Sequence, residues 1–428
     1  MDLAENKVTS VLLLTGFRIF PTNTGGHLRT ASIARALARL GYRVRIYSLA
    51  GRQGDYRWRQ LGTRAPHHIT ELEPNLLEET HLGLAFGLLQ TASRRLDYPR
   101  YYQHQLLRHG IVPGRLRSAL RQADIVLSDS PWCPPVPGSW SGKPWFLISH
   151  NLEHRLLEQA PPRHRFFASW MRRMEESAPR QFRDIFACAE EDHEFFRRHD
   201  PSGRLRLPIV RCGVDPAAYR APAATRERVR GELGLSEEDT LLIFSGSRFA
   251  PNLEALASLR EFCRAEADFL RRERVHLLVL GSILSAPERE GALMGTGWVP
   301  AIEPYLAAGD AGLNAVTRGS GANVKLFEYL AACLPIISTV FGVRGTALEP
   351  EKDFLAYEPH QLRFVIERFK GSRTREEWRA HANAVWDRHR NSCDIQLLVN
   401  DAIAELPEFG LNTVSGAWSG VSGRARGA

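Results

Sequence analysis

The segment DAGLNAVTRGSGANVKLFEYLAACLPIISTVFGVRG, residues 310–345, carries the pattern that decides the fold. Its first apolar stretch predicts a strand that ends near Val316, and the Gly-rich loop 319–323 then leads directly into a helical stretch. Pro335 must stop that helix, and the apolar residues after it predict a further strand. A strand, a helix and another strand in this order form the repeating unit of an α/β domain with a parallel sheet.

The start of the helix in this segment has the features of a phosphate site. Backbone N–H groups and the helix dipole attract an anion to a helix N-terminus, and glycines let the anion approach closely. Lys325 adds a positive charge in the first turn, and Glu328 lies on the same face, where it can accept hydrogen bonds from sugar hydroxyls. This layout suits a nucleotide sugar. The alternative is a tight turn with a surface ion pair between the two side chains.

The rest of the chain repeats the same alternation in two series, separated by a polar, Pro-containing stretch. It predicts an α/β fold of two doubly wound, Rossmann-like domains that face each other across a cleft at the carboxyl ends of their strands. Residues 51–114 lack the alternation, and we expect helices and loops there. The predicted strands are 10–15, 43–49, 124–128, 145–149 and 184–188 in the first series, and 240–247, 275–281, 310–316 and 335–342 in the second.

These patterns divide the chain into four parts. Residues 1–214 are expected to form the N-terminal domain, and residues 215–390 the C-terminal domain. Residues 391–407 are expected to form a helix that returns toward the N-terminal domain. The Gly/Ser-rich residues 408–428 predict a disordered tail.

Composition restricts the classes of protein that the chain can belong to. Apolar residues make up 43% and charged residues 24%, which is ordinary for a soluble protein, and no apolar run approaches the roughly 20 residues of a membrane span. The N-terminus lacks a secretory signal, and six cysteines without paired spacing favour reduced thiols in a cytoplasm and no cysteine metal site. The net charge of +8 implies an anionic partner, but the arginines are spread along the chain, which argues against nucleic acid.

The stretch HNLEH, residues 150–154, has the spacing of a zinc-peptidase motif. Two histidines one helical turn apart can hold a metal ion, and the carboxylate beside them can activate its water. The apolar residues before His150 predict a strand, however, so His150 stands at a carboxyl strand end that faces the cleft. Glu153 and His154 then belong to the following turn or helix. A zinc metallopeptidase remains the alternative from another class.

The sequence also resembles a known family. GSGANVKLFEYLAACLPIISTVFGVRG is similar to the donor-binding segment of the family 4 (group 1) retaining glycosyltransferases of the two-domain GT-B type. PTNTGGHLRTASIARALARLGYRV resembles the opening Gly-Gly loop and helix of that family. SGSRFAPNLEAL and VRCGVDPAAY resemble its first C-terminal strand-loop and its domain linker. The similarity touches most of residues 8–400.

The resemblance implies roles for individual residues. In the family a Gly-rich loop and a lysine hold the pyrophosphate, a glutamate binds the ribose, and a histidine after a strand contacts the donor sugar. The implied catalytic residues are His150, Lys325 and Glu328. The implied donor-binding set is Gly26, Arg248, Asn252, Gly319, Ser320, Gly321, Ala322, Asn323, Lys325 and Glu328. Acceptor contacts are expected from Gly25, His27 and Arg29, of which the last two can equally be ordinary polar groups at a helix start.

The sequence departs from the family pattern in two places, which involve three residues. Ser320 occupies the place where the family often has a second glutamate that contacts the donor sugar, which leaves the identity of the sugar open. The family usually has an arginine and a lysine after this strand. Here Arg248 lies one place later than the usual arginine, and Asn252 stands in place of the lysine. A phosphate contact from Arg248 and a solvated loop arginine are therefore equally supported.

The resemblance implies sugar transfer from a nucleotide-diphosphate sugar to a glycan, a lipid-linked glycan or a small molecule, with retention of anomeric configuration. Protein cations can stabilise the departing phosphate, and no Asp-x-Asp run of metal-dependent transferases is present, so neither metal nor cofactor is expected. A nucleotide-sugar epimerase or hydrolase of the same fold is the alternative. The stretch 162–177 predicts either a core-facing helix or a peripheral contact with an acidic membrane at its cytoplasmic face.

Overall fold

A computed structural model describes most of the chain, and the description covers residues 8–22, 24–49, 67–81, 84–96, 101–138, 142–159, 162–319 and 323–410. In this part of the chain the strands form two seven-stranded sheets with interleaved helices. The predicted fold class, two doubly wound α/β domains, is confirmed. No helix of the described ranges is both long and apolar enough to cross a membrane.

The N-terminal sheet has the strand order β3-β4-β2-β1-β5-β6-β7, and all neighbouring strands except β3 and β4 run parallel. Its strands are β1 (Ser10–Thr15), β2 (Arg43–Ser48), β3 (His67–Glu73), β4 (Leu76–His81), β5 (Ile125–Ser128), β6 (Trp145–Ile148) and β7 (Asp184–Phe186). Its helices are α1 (Gly25–Arg39), α2 (Leu84–Leu96), α3 (Tyr101–Arg108), α4 (Gly114–Gln122), α5 (Glu153–Gln159), α6 (Pro162–Arg165), α7 (Ala168–Gln181) and α8 (Glu190–Arg198).

The C-terminal sheet repeats this design with the order β10-β11-β9-β8-β12-β13-β14, in which the pair β10 and β11 is antiparallel. Its strands are β8 (Thr240–Ser245), β9 (Val275–Leu280), β10 (Glu288–Glu290), β11 (Leu293–Gly297), β12 (Ala311–Asn314), β13 (Ile336–Thr339) and β14 (Leu355–Tyr357). The helices after the linker are α9 (Pro216–Tyr219), α10 (Ala223–Leu233), α11 (Ala250–Ala265), α12 (Ala267–Arg272), α13 (Glu303–Ala308), α14 (Val324–Ala331), α15 (Leu362–Ser372), α16 (Arg375–Cys393) and α17 (Ile395–Ala404).

Each sheet separates two apolar cores, which is why its central strands are apolar on both faces. In β1, Val11 and Leu13 belong to one core, while Leu12 and Leu14 belong to the other. Burying a side chain of this size contributes about 1.5–3 kcal/mol, so these strands are strongly fixed in register. Parallel strands with two buried faces bring all their carboxyl ends to one edge, and that edge of each sheet faces the cleft.

The prediction for residues 51–114 was partly wrong. Residues 67–81 form the antiparallel hairpin β3–β4 at the edge of the sheet, with Asn75 at its turn in a left-handed conformation, φ 64°. Edge strands carry charged and polar residues because one side meets solvent, so they lack the apolar run of a buried strand. Within β4, Glu78 is buried and accepts hydrogen bonds from the Ile19 backbone N–H at 2.7 Å and the Ser48 hydroxyl at 2.9 Å.

The chain crosses between the domains twice, at neighbouring points. Val214 pairs with Asp394 in a parallel bridge, and the Val214 N–H donates to the Cys393 carbonyl oxygen at 2.9 Å. The backbones are so close that a Cβ at Gly213 would lie 2.8 Å from that same oxygen. The two crossings therefore form one compact connection between the domains.

After the second crossing, the chain packs on the N-terminal domain. Helix α17 lies against α1, and Ile395, Val399 and Phe409 belong to the same core as β1. The Tyr42 hydroxyl donates to the Phe409 carbonyl oxygen at 2.8 Å. The predicted boundary of the tail at 408 is therefore too early, since Phe409 is buried in an aromatic cluster; residues 411–428 lie outside the described part.

Two buried polar clusters hold parts of this framework. Asp310, just before β12, accepts hydrogen bonds from Arg226 at 2.8 Å, Arg230 at 3.2 Å and Arg375 at 2.8 Å, and from the Leu241 backbone N–H at 2.8 Å. Asp310 thus joins two strands and two helices. In the N-terminal domain, the thiols of Cys188 and Cys212 lie 3.5 Å apart, a proximity that the sequence spacing did not predict.

Candidate functional site

A cavity of about 300 Å³ lies between the two domains, at the carboxyl ends of the C-terminal strands. Its N-terminal wall includes Thr24 and Gly25 at the start of α1. Its C-terminal wall is formed by the ends of β8, β9 and β11 and by the start of α14. A concave site of this size between two α/β domains, at the carboxyl edge of a parallel sheet, is where such folds bind ligands.

The start of α14 borders this cavity, and its N-cap side chain leaves the first helical N–H groups uncapped. Asn323 is the N-cap residue, but its side chain caps none of the first helical N–H groups. Its amide nitrogen instead donates to the Gly342 carbonyl oxygen at 2.6 Å. Gly319, at the entry to the loop, has φ +132°, a conformation that requires glycine. Ser320, Gly321 and Ala322, which belong to the predicted donor-binding set, lie outside the described residues.

Lys325 in the first turn of α14 is 7% exposed and lines the cavity. Its ammonium donates to Asn252 Oδ1 at 3.0 Å and lies 4.8 Å from the centre of the Phe244 ring. Burial lowers the pKa of Lys325 to about 7, against the opposing effect of Glu328, and the positive charge of Arg344 lowers it further. Among the described residues no carboxylate lies within ion-pair distance of this ammonium, so an anionic ligand would stabilise its charged form.

Glu328 lies one turn further along α14 and is 8% exposed. The Tyr219 hydroxyl and the Ser245 hydroxyl both donate to its carboxylate at 3.4 Å. Burial raises the pKa of Glu328 to about 7, and the negative charge of Glu303 raises it further. Both contacts are long, so the carboxylate keeps capacity to accept hydrogen bonds from a ligand. The alternative of a surface ion pair between Lys325 and Glu328 does not fit, because both side chains are buried.

The two residues of the altered Arg–Lys pair, Arg248 and Asn252, lie in different places. Asn252 lines the cavity and holds Lys325 in position, while its amide nitrogen donates to the Ser247 carbonyl oxygen at 3.1 Å. Arg248 is exposed and is not among the residues that line the cavity. The structure therefore favours the solvated loop arginine over the phosphate contact at position 248.

Arg344 lines the cavity, and sequence reasoning did not identify it. It follows β13, its guanidinium lies 4.2 Å from the centre of the Phe341 ring, and one of its nitrogens would be 3.3 Å from a Cβ at Gly319. Arg344 is thus a second cation beside the loop that precedes α14. Its place directly after a predicted strand was the available signal, because carboxyl strand ends form the ligand edge of a parallel sheet.

On the opposite wall, the Thr24 hydroxyl caps α1 by accepting from the His27 backbone N–H at 3.3 Å. Gly25 touches α14 across the cleft, since a Cβ there would lie 2.8 Å from Val324 Cγ2. Gly26 has open space where a Cβ would point, and the His27 ring stacks on Phe17 with centroids 4.8 Å apart. Two helix N-termini, those of α1 and α14, therefore converge on the cavity.

Arg29 does not face the cleft. Its side chain is 1% exposed, and its guanidinium donates to the carbonyl oxygens of Ser149 at 2.7 Å and Val210 at 2.7 Å. These bonds tie α1 to the end of β6 and to the linker. The expectation of an acceptor contact by Arg29 is corrected, because buried carbonyls already occupy its donors.

His150 stands just after β6, as the sequence predicts, but its ring turns into the N-terminal domain. Its Nε2 lies 2.9 Å from Oδ1 of buried Asp129, and its Nδ1 lies 3.3 Å from Nη1 of Arg29. Because an arginine can only donate, Nδ1 accepts from Arg29, and the Nε2–H group donates a hydrogen bond to Asp129. His150 is not among the residues that line the cavity, so its role as a sugar contact stays a prediction.

The two histidines of the HNLEH stretch have separate partners. His154 Nδ1 lies 2.5 Å from Oε2 of buried Glu175, whereas His150 faces Asp129. Only His154 belongs to α5, which begins at Glu153. In the described ranges, no three histidine, cysteine, aspartate or glutamate side chains gather in a way that could hold a metal ion. This geometry gives the zinc-peptidase alternative no support.

Comparison with known proteins identifies the fold. No family model matches the chain, and no curated protein matches it by sequence. Solved structures match over nearly its whole length. Sucrose-phosphate synthase from Thermosynechococcus elongatus is 14% identical, with a TM-score of 0.62, and covers 92% of this chain and 97% of its own. Anabaena HepE in complex with UDP and glucose is 15% identical, with a TM-score of 0.61 and coverages of 92% and 98%.

A glycosyltransferase from Rickettsia africae is also similar, at 11% identity and a TM-score of 0.60, covering 95% of this chain and all of its own. These neighbours share two Rossmann-like domains around a cleft. The chain therefore has the GT-B fold. At such low identity the comparison establishes the fold and leaves the activity to be argued from the site.

Proposed function

We propose that this protein is a glycosyltransferase that moves a sugar from a nucleotide-diphosphate sugar to an acceptor. The observation that carries the proposal is the pair of buried side chains on α14, where Lys325 lies at the helix start and Glu328 one turn further, in one interdomain cavity. The cationic end suits a diphosphate and the carboxylate suits a ribose. The complex of HepE with UDP and glucose, in a protein of the same fold, supports this reading.

The arrangement suits the chemistry of sugar transfer. Cleavage of the bond between the sugar and the diphosphate leaves negative charge on the departing phosphate and positive charge on the anomeric carbon. The backbone N–H groups of α14, Lys325 and Arg344 would stabilise the departing phosphate, which is the main electrostatic task. These cations belong to the protein, so the proposal includes no metal ion and no further cofactor.

Retention of anomeric configuration and membership of family 4 are part of the proposal and rest on the sequence resemblance. In this pathway an oxygen of the departing phosphate takes the proton of the acceptor hydroxyl on the same face of the sugar. No side-chain nucleophile is then needed. A nucleotide-sugar epimerase or hydrolase would use the same pocket, and product analysis with candidate acceptors separates the two: an epimerised or hydrolysed sugar would contradict transfer.

The acceptor is proposed to be a glycan, a lipid-linked glycan or a small molecule, handled in the cytoplasm. For a lipid-linked acceptor the surface around α7 offers a peripheral membrane contact. The helix buries Met171 and Met174, which fits its core-facing interpretation, but Phe166 beside it is 82% exposed. Flotation with anionic liposomes at low salt tests this contact, and a protein that stays with the soluble fraction would refute it.

The first experiment is a calorimetric screen of UDP, GDP, ADP, dTDP and CMP. We expect one nucleoside diphosphate to bind clearly better than the monophosphate, because the second phosphate reaches Lys325. Lys325→Ala should weaken that nucleotide by about 10- to 100-fold, the range for a lost charge-assisted hydrogen bond. If none of the five binds, or if the affinity is unchanged in the variant, the proposal fails. Lys352→Ala, which removes an exposed lysine, is the matched control.

A further inference from the structure

Glu303 is a second carboxylate in the same cavity. It is the first residue of α13, it follows the loop after β11, and it lines the cavity together with Glu328. Within the described part of the chain, its Oε2 atom is buried and has no hydrogen-bond partner. A buried acceptor without a donor costs about 1–3 kcal/mol, so this oxygen is expected to gain a donor from a ligand.

The surroundings of Glu303 place it beside Glu328. Its negative charge raises the pKa of Glu328 and that of Tyr219, in both cases as an addition to the effect of burial. Helix α13 packs on α9, which carries Tyr219, and α9 packs on α14, which carries Glu328. Two carboxylates and one phenol therefore form one cluster that lines the cavity.

The cavity thus carries two groups of opposite charge. The charge of Arg344 acts on Lys325, and the charge of Glu303 acts on Glu328. Carboxylates accept hydrogen bonds and cannot donate them when ionised. A ligand that fits both groups carries an anion and also a pair of neighbouring O–H donors. A ribonucleoside diphosphate has this arrangement.

We infer that Glu303 is a second ribose-binding carboxylate, which accepts a hydrogen bond from one hydroxyl of the ribose 2′,3′-diol while Glu328 accepts from the other. The inference rests on the proposed function and names its substrate class more narrowly. The site selects ribonucleotide donors and rejects deoxyribonucleotide donors such as dTDP-sugars. A site built to bind a hydroxyl rejects an analogue that lacks it because its buried acceptor is then unpaired.

The test measures the affinity of the nucleoside diphosphate that binds best, and of its 2′-deoxy and 3′-deoxy analogues, by calorimetry. For the unaltered protein we expect each deoxy analogue to bind about 10- to 100-fold more weakly. Glu303→Met, which removes the acceptor, should weaken the ribonucleotide and leave one of the two deoxy analogues unchanged. For that analogue, the ratio of the ribonucleotide affinity to the deoxy-analogue affinity should therefore fall toward one in the variant.

A conservative variant of Glu303 and a control variant at an exposed carboxylate complete the test. Glu303→Gln retains the shape and one acceptor oxygen, so we expect intermediate discrimination from it, and its thermal unfolding reports whether the fold is intact. Glu232→Gln removes an exposed carboxylate on α10 and should bind all three nucleotides like the unaltered protein.

Several outcomes would overturn the inference. Equal losses for the ribonucleotide and both deoxy analogues in Glu303→Met would show that Glu303 does not contact the diol. A changed preference between UDP and GDP with unchanged diol discrimination would mean that the carboxylate contacts the base. In both cases a nucleotide binds, so the proposed function survives. Absence of binding by every nucleoside diphosphate removes both proposals together.

Discussion

Gly25 and Val324 close the cleft against each other: a Cβ at Gly25 would lie 2.8 Å from Cγ2 of Val324. Gly25 opens α1 in the N-terminal domain, and Val324 opens α14 in the C-terminal domain. Contacts between real Cβ atoms do not reach this distance, so the glycine allows the two helix N-termini to approach the same ligand. The closed arrangement depends on the absence of one methyl group.

Gly25→Ala should therefore impair closure. The added methyl group must displace Val324, at a cost of about 1–3 kcal/mol for overpacking, and the closed state should lose nucleotide affinity accordingly. Calorimetry with the best nucleoside diphosphate measures the loss. Gly25→Ala/Val324→Ala provides the space and should recover much of the affinity. A double variant as weak as the single one would contradict the steric explanation.

Nucleotide affinity should pass through a maximum near pH 7. Lys325 has a pKa of about 7 in the empty cleft, and a bound diphosphate raises it, so affinity should fall about tenfold per pH unit above 7. Glu328, whose pKa is also about 7, becomes protonated below that pH and loses acceptor capacity. Calorimetry across pH 5–9 gives the profile. Lys325→Arg should lack the alkaline limb, and an alkaline limb that persists in this variant would exclude Lys325 as its source.

Lys325→Met should stabilise the protein while it abolishes tight nucleotide binding. Burial depresses the lysine pKa from 10.5 to about 7, so the unfolded state binds more protons between these values. The buried lysine therefore lowers the free energy of unfolding by its full amount below pH 7, and this penalty disappears toward pH 10. We expect the thermal midpoint to rise by at least about 3 °C at pH 7, with a smaller gain at pH 9. Lys352→Met is the exposed control, and an equal rise in both would contradict the explanation.

Asp310→Asn should strongly destabilise the C-terminal domain. The substitution removes the buried carboxylate that pairs with Arg226, Arg230 and Arg375 and leaves them only the exposed Glu237, while Arg230 is itself 1% exposed. Removing one partner of a buried ion pair lowers the free energy of unfolding by about 3–5 kcal/mol, which urea unfolding can measure. Glu290→Gln breaks the exposed pair with Arg264 and should change stability by less than about 0.5 kcal/mol. Similar effects of the two variants would show that Asp310 is not a structural centre.

Much of the fold could be predicted because buried parallel strands are apolar on both faces. Strand β1 has the predicted bounds, and the other predicted strands differ from the observed ones by a few residues at their ends. Five strands were missed: β3 and β4 bear charged residues, β10 and β14 have only three residues each, and β11 contains two glycines. The pairing of β3 with β4 depends on a turn at Asn75, which no periodicity in the sequence predicts.

The candidate site was predictable where one segment supplies it. Lys325 and Glu328 lie on one helix that directly follows the Gly-rich loop, so helical spacing alone places them on the same face. Arg344 and Glu303 reach the cavity from separate segments of the chain, and the inward turn of His150 depends on Arg29, 121 positions away in the chain. Such contacts are decided by the packing of distant elements, which a local pattern does not contain.

The return of α17 to the N-terminal domain has a consequence for the order in which the protein can be completed during synthesis. Ile395, Val399 and Phe409 belong to the same core as β1, yet a ribosome makes them only after the entire C-terminal domain. The domain that is begun first is therefore finished last. Until residue 409 emerges, the core beside α1 stays open, and a nascent chain would need protection at that surface.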